Sequence, residues 1–87
     1  MKTLYALDIV NPFSKKVKME GLLELKERLD QTACFDKVGP LYYKISLAIK
    51  DNKSPSADLV VEFLNYLNSL SSTRETVGFK LDESGMS

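Results

Sequence analysis

LYYKISLAIK, residues 41–50, is the stretch that most directly predicts the fold. Every second residue in it is apolar: Leu41, Tyr43, Ile45, Leu47 and Ile49. Such alternation is typical of a strand that buries one face. The intervening residues would then lie on the opposite face of the sheet. They are Tyr42, Lys44, Ser46, Ala48 and Lys50, and this second set needs its own explanation.

Three other segments also have the character of strands. Residues 3–10 are mostly apolar on both faces, which is typical of a central strand. Residues 76–82 alternate again, with Val77 and Phe79 on the inner side. A short strand over 34–38 precedes a turn at Gly39 and Pro40. The sequence therefore predicts four strands.

Two segments instead have helical spacing. The first helix is predicted over 20–32, because Leu22, Leu25 and Leu29 fall on one face. The second is predicted over 56–70, with Ser54 or Ser56 as its N-cap. Residues 14–19 fit either an earlier start of the first helix or a short strand over 16–19 paired with the first strand.

The order of these elements is β-α-β-β-α-β. This order is typical of a ferredoxin-like fold, an α+β two-layer sandwich in which two helices cover one face of a four-stranded antiparallel sheet. The chain of 87 residues is short enough for a single domain. We place that domain at residues 1–82, followed by a flexible polar tail at 83–87.

Composition excludes several classes of site. Twelve basic and twelve acidic side chains give a formal net charge of zero, whereas non-specific nucleic-acid binding usually requires a basic excess. The chain has no histidine and only one cysteine, Cys34, so it cannot form an internal disulfide or the usual cysteine–histidine zinc site. No cofactor motif is present, and no apolar run is long enough to span a membrane. We expect a cytoplasmic protein.

The uncovered face of the predicted sheet is the first candidate site. Tyr42, Lys44 and Lys80 would lie there, and Tyr66 on the second helix is a further exposed aromatic candidate. An aromatic anchor ringed by charge is typical of a surface that binds another protein. The occupant would be a protein partner or a second copy of the chain, as in a homodimer.

A basic segment suggests an alternative. Lys15, Lys16 and Lys18 could contact phosphate or an acidic partner, and with the open face they would suit a nucleic-acid-binding regulator. Asp8 could bind a metal in a nuclease, but no second carboxylate motif accompanies it, and pairing with Lys44 or Lys80 is the better interpretation.

The function predicted from the sequence is therefore non-enzymatic. The sequence offers no recognisable combination of a nucleophile, a base and a group that orients the base, so no catalytic site is assigned. Small neutral domains of this kind serve as inhibitors, antitoxins or accessory subunits, phage and mobile-element proteins among them. We expect this chain to act by occupying a surface on a larger protein.

Overall fold

The computed structural model describes residues 2–32 and 39–81. The elements in chain order are β1 (Leu4–Tyr5), β2 (Val10–Asn11), β3 (Lys16–Val17), α1 (Met19–Asp30), α2 (Gly39–Lys50), α3 (Ala57–Ser69), α4 (Ser71–Val77) and β4 (Phe79–Lys80). A single 3-10 turn, Ala6–Asp8, separates β1 from β2. Helices therefore dominate the described part of the chain.

The strands form two small sheets of two strands each. β1 pairs with β4 in parallel, with Leu4 opposite Phe79. β2 pairs with β3 in an antiparallel hairpin, with Val10 opposite Val17. The first sheet joins the two ends of the described chain, and the second closes the loop that precedes α1.

One hydrophobic core lies between the helices and these short strands. α3 contributes more buried residues to it than any other described element, because its apolar residues recur at helical spacing and face α2, α4 and β2. The largest fully buried side chains are Phe63, Phe79, Ile9, Leu22, Leu25, Leu29, Ile45, Leu64, Leu67, Val10 and Val60. They come from both sheets and from α1, α2 and α3, so each of these elements depends on the others for burial.

The predicted ferredoxin-like α+β sandwich is wrong. The structure is mostly helical, and the described residues form two short sheets of two strands rather than one antiparallel sheet of four. The LYYKISLAIK segment is the main reason, because it lies within helix α2. Leu41, Ile45 and Ile49 are spaced by four residues, so they share a helical face as well as a strand face.

The predictions for the first and last strands fail for local reasons. The strand predicted from residue 3 to residue 10 is interrupted at Ala6–Asp8, which form a single turn of 3-10 helix. In this turn the Asp8 carboxylate accepts a hydrogen bond from the Tyr5 amide at 3.0 Å. The predicted strand at 76–82 begins inside α4, whose last residue is Val77 and whose C-cap is Gly78 with φ +69°. Only Phe79–Lys80 remains extended. The predicted strand at 34–38 and Cys34 lie outside the described residues.

The two amphipathic helices predicted from the sequence are confirmed. Helix α1 covers Met19–Asp30 and buries Leu22, Leu25 and Leu29. Helix α3 covers Ala57–Ser69, and the Ser56 hydroxyl caps it by accepting the Leu59 amide at 3.2 Å. The open question at 14–19 resolves toward the strand alternative, since β3 pairs with β2 before α1 begins.

Candidate interaction site

Residues 2–32 and 39–81 form no four-stranded sheet with an open face to carry the predicted site. Tyr42 and Lys44 lie on α2, Tyr66 lies on α3 and Lys80 lies in β4. Lys44, Tyr66 and Lys80 are exposed, whereas Tyr42 is partly buried. Residues two apart on a helix point in nearly opposite directions, so Tyr42 and Lys44 do not share a surface. The structure therefore distributes these four residues over three elements.

Tyr42 contributes to the packing of three helices. Its hydroxyl donates a hydrogen bond to the Asp30 carboxylate at the end of α1. Its ring lies 6.4 Å from the ring of Phe63 on α3, measured between centroids. The Lys26 ammonium lies 6.0 Å from the centre of the same ring. Tyr42 therefore connects α2 to α1 and α3. The strand prediction for residues 41–50 placed Tyr42 on an open face and so did not indicate this structural role.

The Lys26–Asp30–Tyr42 cluster shifts the pKa of all three groups. Burial raises the pKa of the Tyr42 phenol above its ordinary 10.0, and the hydrogen bond to Asp30 raises it further. The hydrogen bond to Asp30, 2.8 Å long, raises the pKa of Lys26 despite its partial burial. Burial also raises the pKa of Asp30, but hydrogen bonds from Lys26 and Tyr42 outweigh it and leave that pKa lowered.

This cluster should make the stability sensitive to alkaline pH. A phenol whose pKa is higher in the folded state stabilises the fold below pH 10.0, and that contribution is lost as the pH rises through the folded value. Tyr42→Phe should therefore be less stable than wild type at pH 7, and the difference in the free energy of unfolding should become smaller above about pH 10. Urea unfolding of both proteins across this pH range measures that difference.

Tyr43→Phe is the matched control, since it removes an exposed phenol from the same helix. At pH 7 it should be about as stable as wild type, because no hydrogen bond joins the Tyr43 side chain to another residue within 2–32 or 39–81. A difference between wild type and Tyr42→Phe that does not change with pH would contradict the raised pKa of the Tyr42 phenol in the folded state.

Two of the three lysines in the predicted patch contact other residues of the chain. The Lys15 ammonium forms an exposed ion pair with Asp58 at 2.9 Å. The Lys18 ammonium donates a hydrogen bond to the Leu7 carbonyl at 2.8 Å. Lys16 is exposed in β3, and no hydrogen bond or ion pair joins its side chain to another residue within 2–32 or 39–81. The three lysines therefore do not form one undivided cationic surface.

The turn between β2 and β3 carries the most exposed aromatic side chain described. Phe13 is 85% exposed. The Asn11 side-chain oxygen accepts the amide of Phe13 at 2.9 Å and that of Ser14 at 3.1 Å. Pro12 restricts the backbone further, because its ring fixes φ. Lys15 completes the turn with φ +59° and allows the chain to enter β3.

This arrangement, which we call the Phe13 turn (residues 11–16), presents an apolar ring on a fixed support. Asparagine that accepts amides two and three residues later fixes the start of a turn, and proline removes backbone freedom. The strand predicted over residues 3–10 ends immediately before Asn11 and Pro12, and no site was predicted at this turn. A phenylalanine among Asn, Pro, Ser and Lys was the available signal, because such a short polar turn offers little to cover a ring.

A second exposed apolar pair lies on α2. Tyr43 is 64% exposed and Leu47 is 43% exposed, and their spacing of four residues places them on one helical face. The strand interpretation assigned both to the core. Exposed Lys44 lies beside them in sequence, so the outer side of α2 is a mixed surface.

Asp8 has a structural role rather than the predicted ionic one. Its carboxylate accepts the Tyr5 amide, and no ion pair joins it to Lys44 or Lys80. Within the described ranges, no group of three or more Asp, Glu, Cys or His side chains could hold a metal ion.

The described helices are all too short or too polar to cross a membrane. The chain matches no protein-family model, and searches of curated proteins and of solved structures find no significant match.

Proposed function

We propose that this chain is a small non-enzymatic interaction protein that binds a larger protein through the Phe13 turn. The observation that supports the proposal is the 85% exposure of the Phe13 ring on a turn fixed by the Asn11 side chain. Occupying a surface in this way suits an inhibitor, an antitoxin or an accessory subunit.

The Phe13 turn has the physical properties of a binding anchor. Full burial of a phenylalanine side chain is worth about 1.5–3 kcal/mol from the removal of apolar surface from water. An immobile turn also loses little conformational entropy on binding, so more of this energy appears as affinity. Aromatic side chains are enriched at the centres of protein interfaces for the first of these reasons.

The charges around Phe13 indicate the chemistry of the partner. Lys16 is exposed, and Lys15 makes only a solvent-exposed pair with Asp58, an interaction worth about 1 kcal/mol or less. Both ammonium groups can therefore meet carboxylates on a partner at little cost. We infer a partner pocket with an apolar floor for the ring and acidic residues on its rim.

The nucleic-acid alternative has less support. It required three lysines that act jointly and an open sheet face, which the described residues do not form. Lys18 donates its ammonium hydrogen bond to the Leu7 carbonyl within the chain. The zero net charge also provides no general attraction to phosphate.

A photocrosslinking experiment can find the partner and map its site together. A benzophenone amino acid is placed at position 13 in cells of the source organism, and the same residue at position 43 is the control. A larger protein crosslinked from position 13 alone is then purified. Its binding to wild-type chain, Phe13→Ser and Tyr43→Ser is measured by calorimetry.

We expect Phe13→Ser to weaken binding by about 30-fold or more, since loss of a central anchor costs about 2 kcal/mol or more. Tyr43→Ser removes a comparable exposed aromatic and should bind as wild type does. Crosslinks from position 43 alone, or equal losses in both variants, would contradict the assignment to the Phe13 turn. Crosslinks that join only two copies of this chain would contradict the larger partner.

A further inference from the structure

We propose that a second site, a cleft beside α4 and β4, binds a small organic anion. The cleft has a volume of about 600 Å³ and is lined by Thr3, Asn68, Arg74, Glu75, Gly78, Phe79, Lys80 and Leu81. A volume of roughly 300–1,000 Å³ is typical of sites for small molecules. This proposal does not depend on the Phe13 turn, which lies on the other sheet.

Arg74 is the main reason to expect an anion. One of its terminal nitrogens, Nη1, donates to the backbone carbonyl of Asn68 at 3.1 Å and to the side-chain oxygen at 3.3 Å. Both acceptors are neutral, so they orient the guanidinium without neutralising its charge. In the described part of the chain, no hydrogen bond uses its remaining nitrogens, and no carboxylate pairs with it. A guanidinium presents five N–H donors, so several remain for a ligand.

Lys80 adds a second positive charge to the same cleft. It is exposed and makes no ion pair with another residue that the structure describes. Glu75 also lines the cleft, so the three charged groups sum to one positive charge. An arginine held in place beside a lysine is a usual arrangement for binding carboxylate or phosphate, because charge-assisted hydrogen bonds are strong.

The rest of the cleft favours an anion with an apolar body. Leu81 supplies an apolar wall, and Gly78 has no side chain to fill the space beside it. A bare inorganic ion would leave most of about 600 Å³ unfilled. An aromatic or aliphatic carboxylate, or the corresponding phosphate, would fill more of the volume and still reach Arg74 and Lys80.

Titration by NMR tests this proposal with simple probes. Benzoate is added to ¹⁵N-labelled protein at constant ionic strength, and benzyl alcohol is the uncharged control with the same ring. Phenyl phosphate and inorganic phosphate distinguish the preferred head group. We expect benzoate or phenyl phosphate to give saturable shifts at the amides of Thr3, Gly78 and Lys80, with a Kd of roughly 1–10 mM for so few ligand atoms. Benzyl alcohol should give none.

Three variants connect any binding to the named cations. Arg74→Gln and Lys80→Gln should each weaken binding by about tenfold, the equivalent of one lost charge-assisted contact. Lys44→Gln removes an exposed cation on α2 and should change nothing. Lys80→Gln is informative even if Arg74→Gln disturbs the end of α3, because the Lys80 side chain makes no hydrogen bond to another residue within 39–81. Absence of saturable shifts, equal shifts with benzyl alcohol, or unchanged affinity in both cleft variants would overturn the proposal.

Discussion

Gly21→Ala should strongly destabilise the protein, although inside a helix alanine is more favourable than glycine by about 1 kcal/mol. The reason is the close approach of α1 to the 3-10 turn. A Cβ atom at position 21 would overlap the Asp8 carbonyl oxygen and would lie 3.2 Å from the Ile9 Cα. Both are backbone atoms, so relief requires α1 or the turn to move. Overpacking of this kind costs about 3 kcal/mol or more, which exceeds the gain in propensity.

Position 27 on the same helix provides the matched control for position 21. Glu27 is exposed, so Glu27→Ala should be more stable than Glu27→Gly by the ordinary helix propensity, about 1 kcal/mol. At position 21 the order should reverse, with glycine more stable than alanine. Urea unfolding followed by circular dichroism measures all four proteins. A Gly21→Ala protein as stable as wild type would show that α1 does not approach Asp8 so closely.

Ile45→Asp should unfold the protein or nearly do so, whereas Leu47→Asp should be tolerated. Ile45 is 2% exposed, and a carboxylate there would be buried without a partner. Such a change costs more than about 4 kcal/mol, a large part of the roughly 4–13 kcal/mol available to a domain of this size. Leu47 is 43% exposed, so its replacement should cost about 1 kcal/mol or less.

This pair distinguishes the helix from the strand that the sequence predicted. In a strand, Ile45 and Leu47 would both face the core, and the two variants would lose similar amounts of stability. In the helix they lie about 200° apart, so only one is buried. Thermal unfolding of both variants beside wild type is the measurement. Equal destabilisation by Ile45→Asp and Leu47→Asp would contradict α2.

The sequence was sufficient for α1 and α3 because their apolar residues repeat with a helical period and no competing period. Leu22, Leu25 and Leu29 match one helical face and no strand face. Ser56 supplied a capping signal at the start of α3, and the structure confirms it. These features are local, so they do not depend on how the rest of the chain packs.

The α2 segment was predicted wrongly because its pattern satisfies two periods together. Leu41, Ile45 and Ile49 fit both, and only Tyr43 and Leu47 distinguish the two. Their exposure depends on how α2 packs against α3, which is a tertiary fact without a local signature. The Tyr42–Asp30 hydrogen bond is likewise formed between helices.

The candidate sites depended even more on tertiary structure. Lys80 is exposed, as predicted, but Arg74 in the same cleft was not among the predicted site residues. The close approach of Gly21 to the Asp8 backbone joins separate elements, so no local pattern in the sequence indicates it. The exposure of Phe13 could have been inferred from the polar turn around it, and it is the feature most accessible to sequence reasoning.

The backbone conformation of residues 41–50 is the most direct test of the account, since it determines which side chains the protein presents. ¹³Cα chemical shifts by NMR report it residue by residue. The structure predicts shifts downfield of random-coil values throughout this stretch, as in a helix. Upfield shifts over the same residues would restore the strand, return Tyr43 and Leu47 to the core and contradict the fold described above.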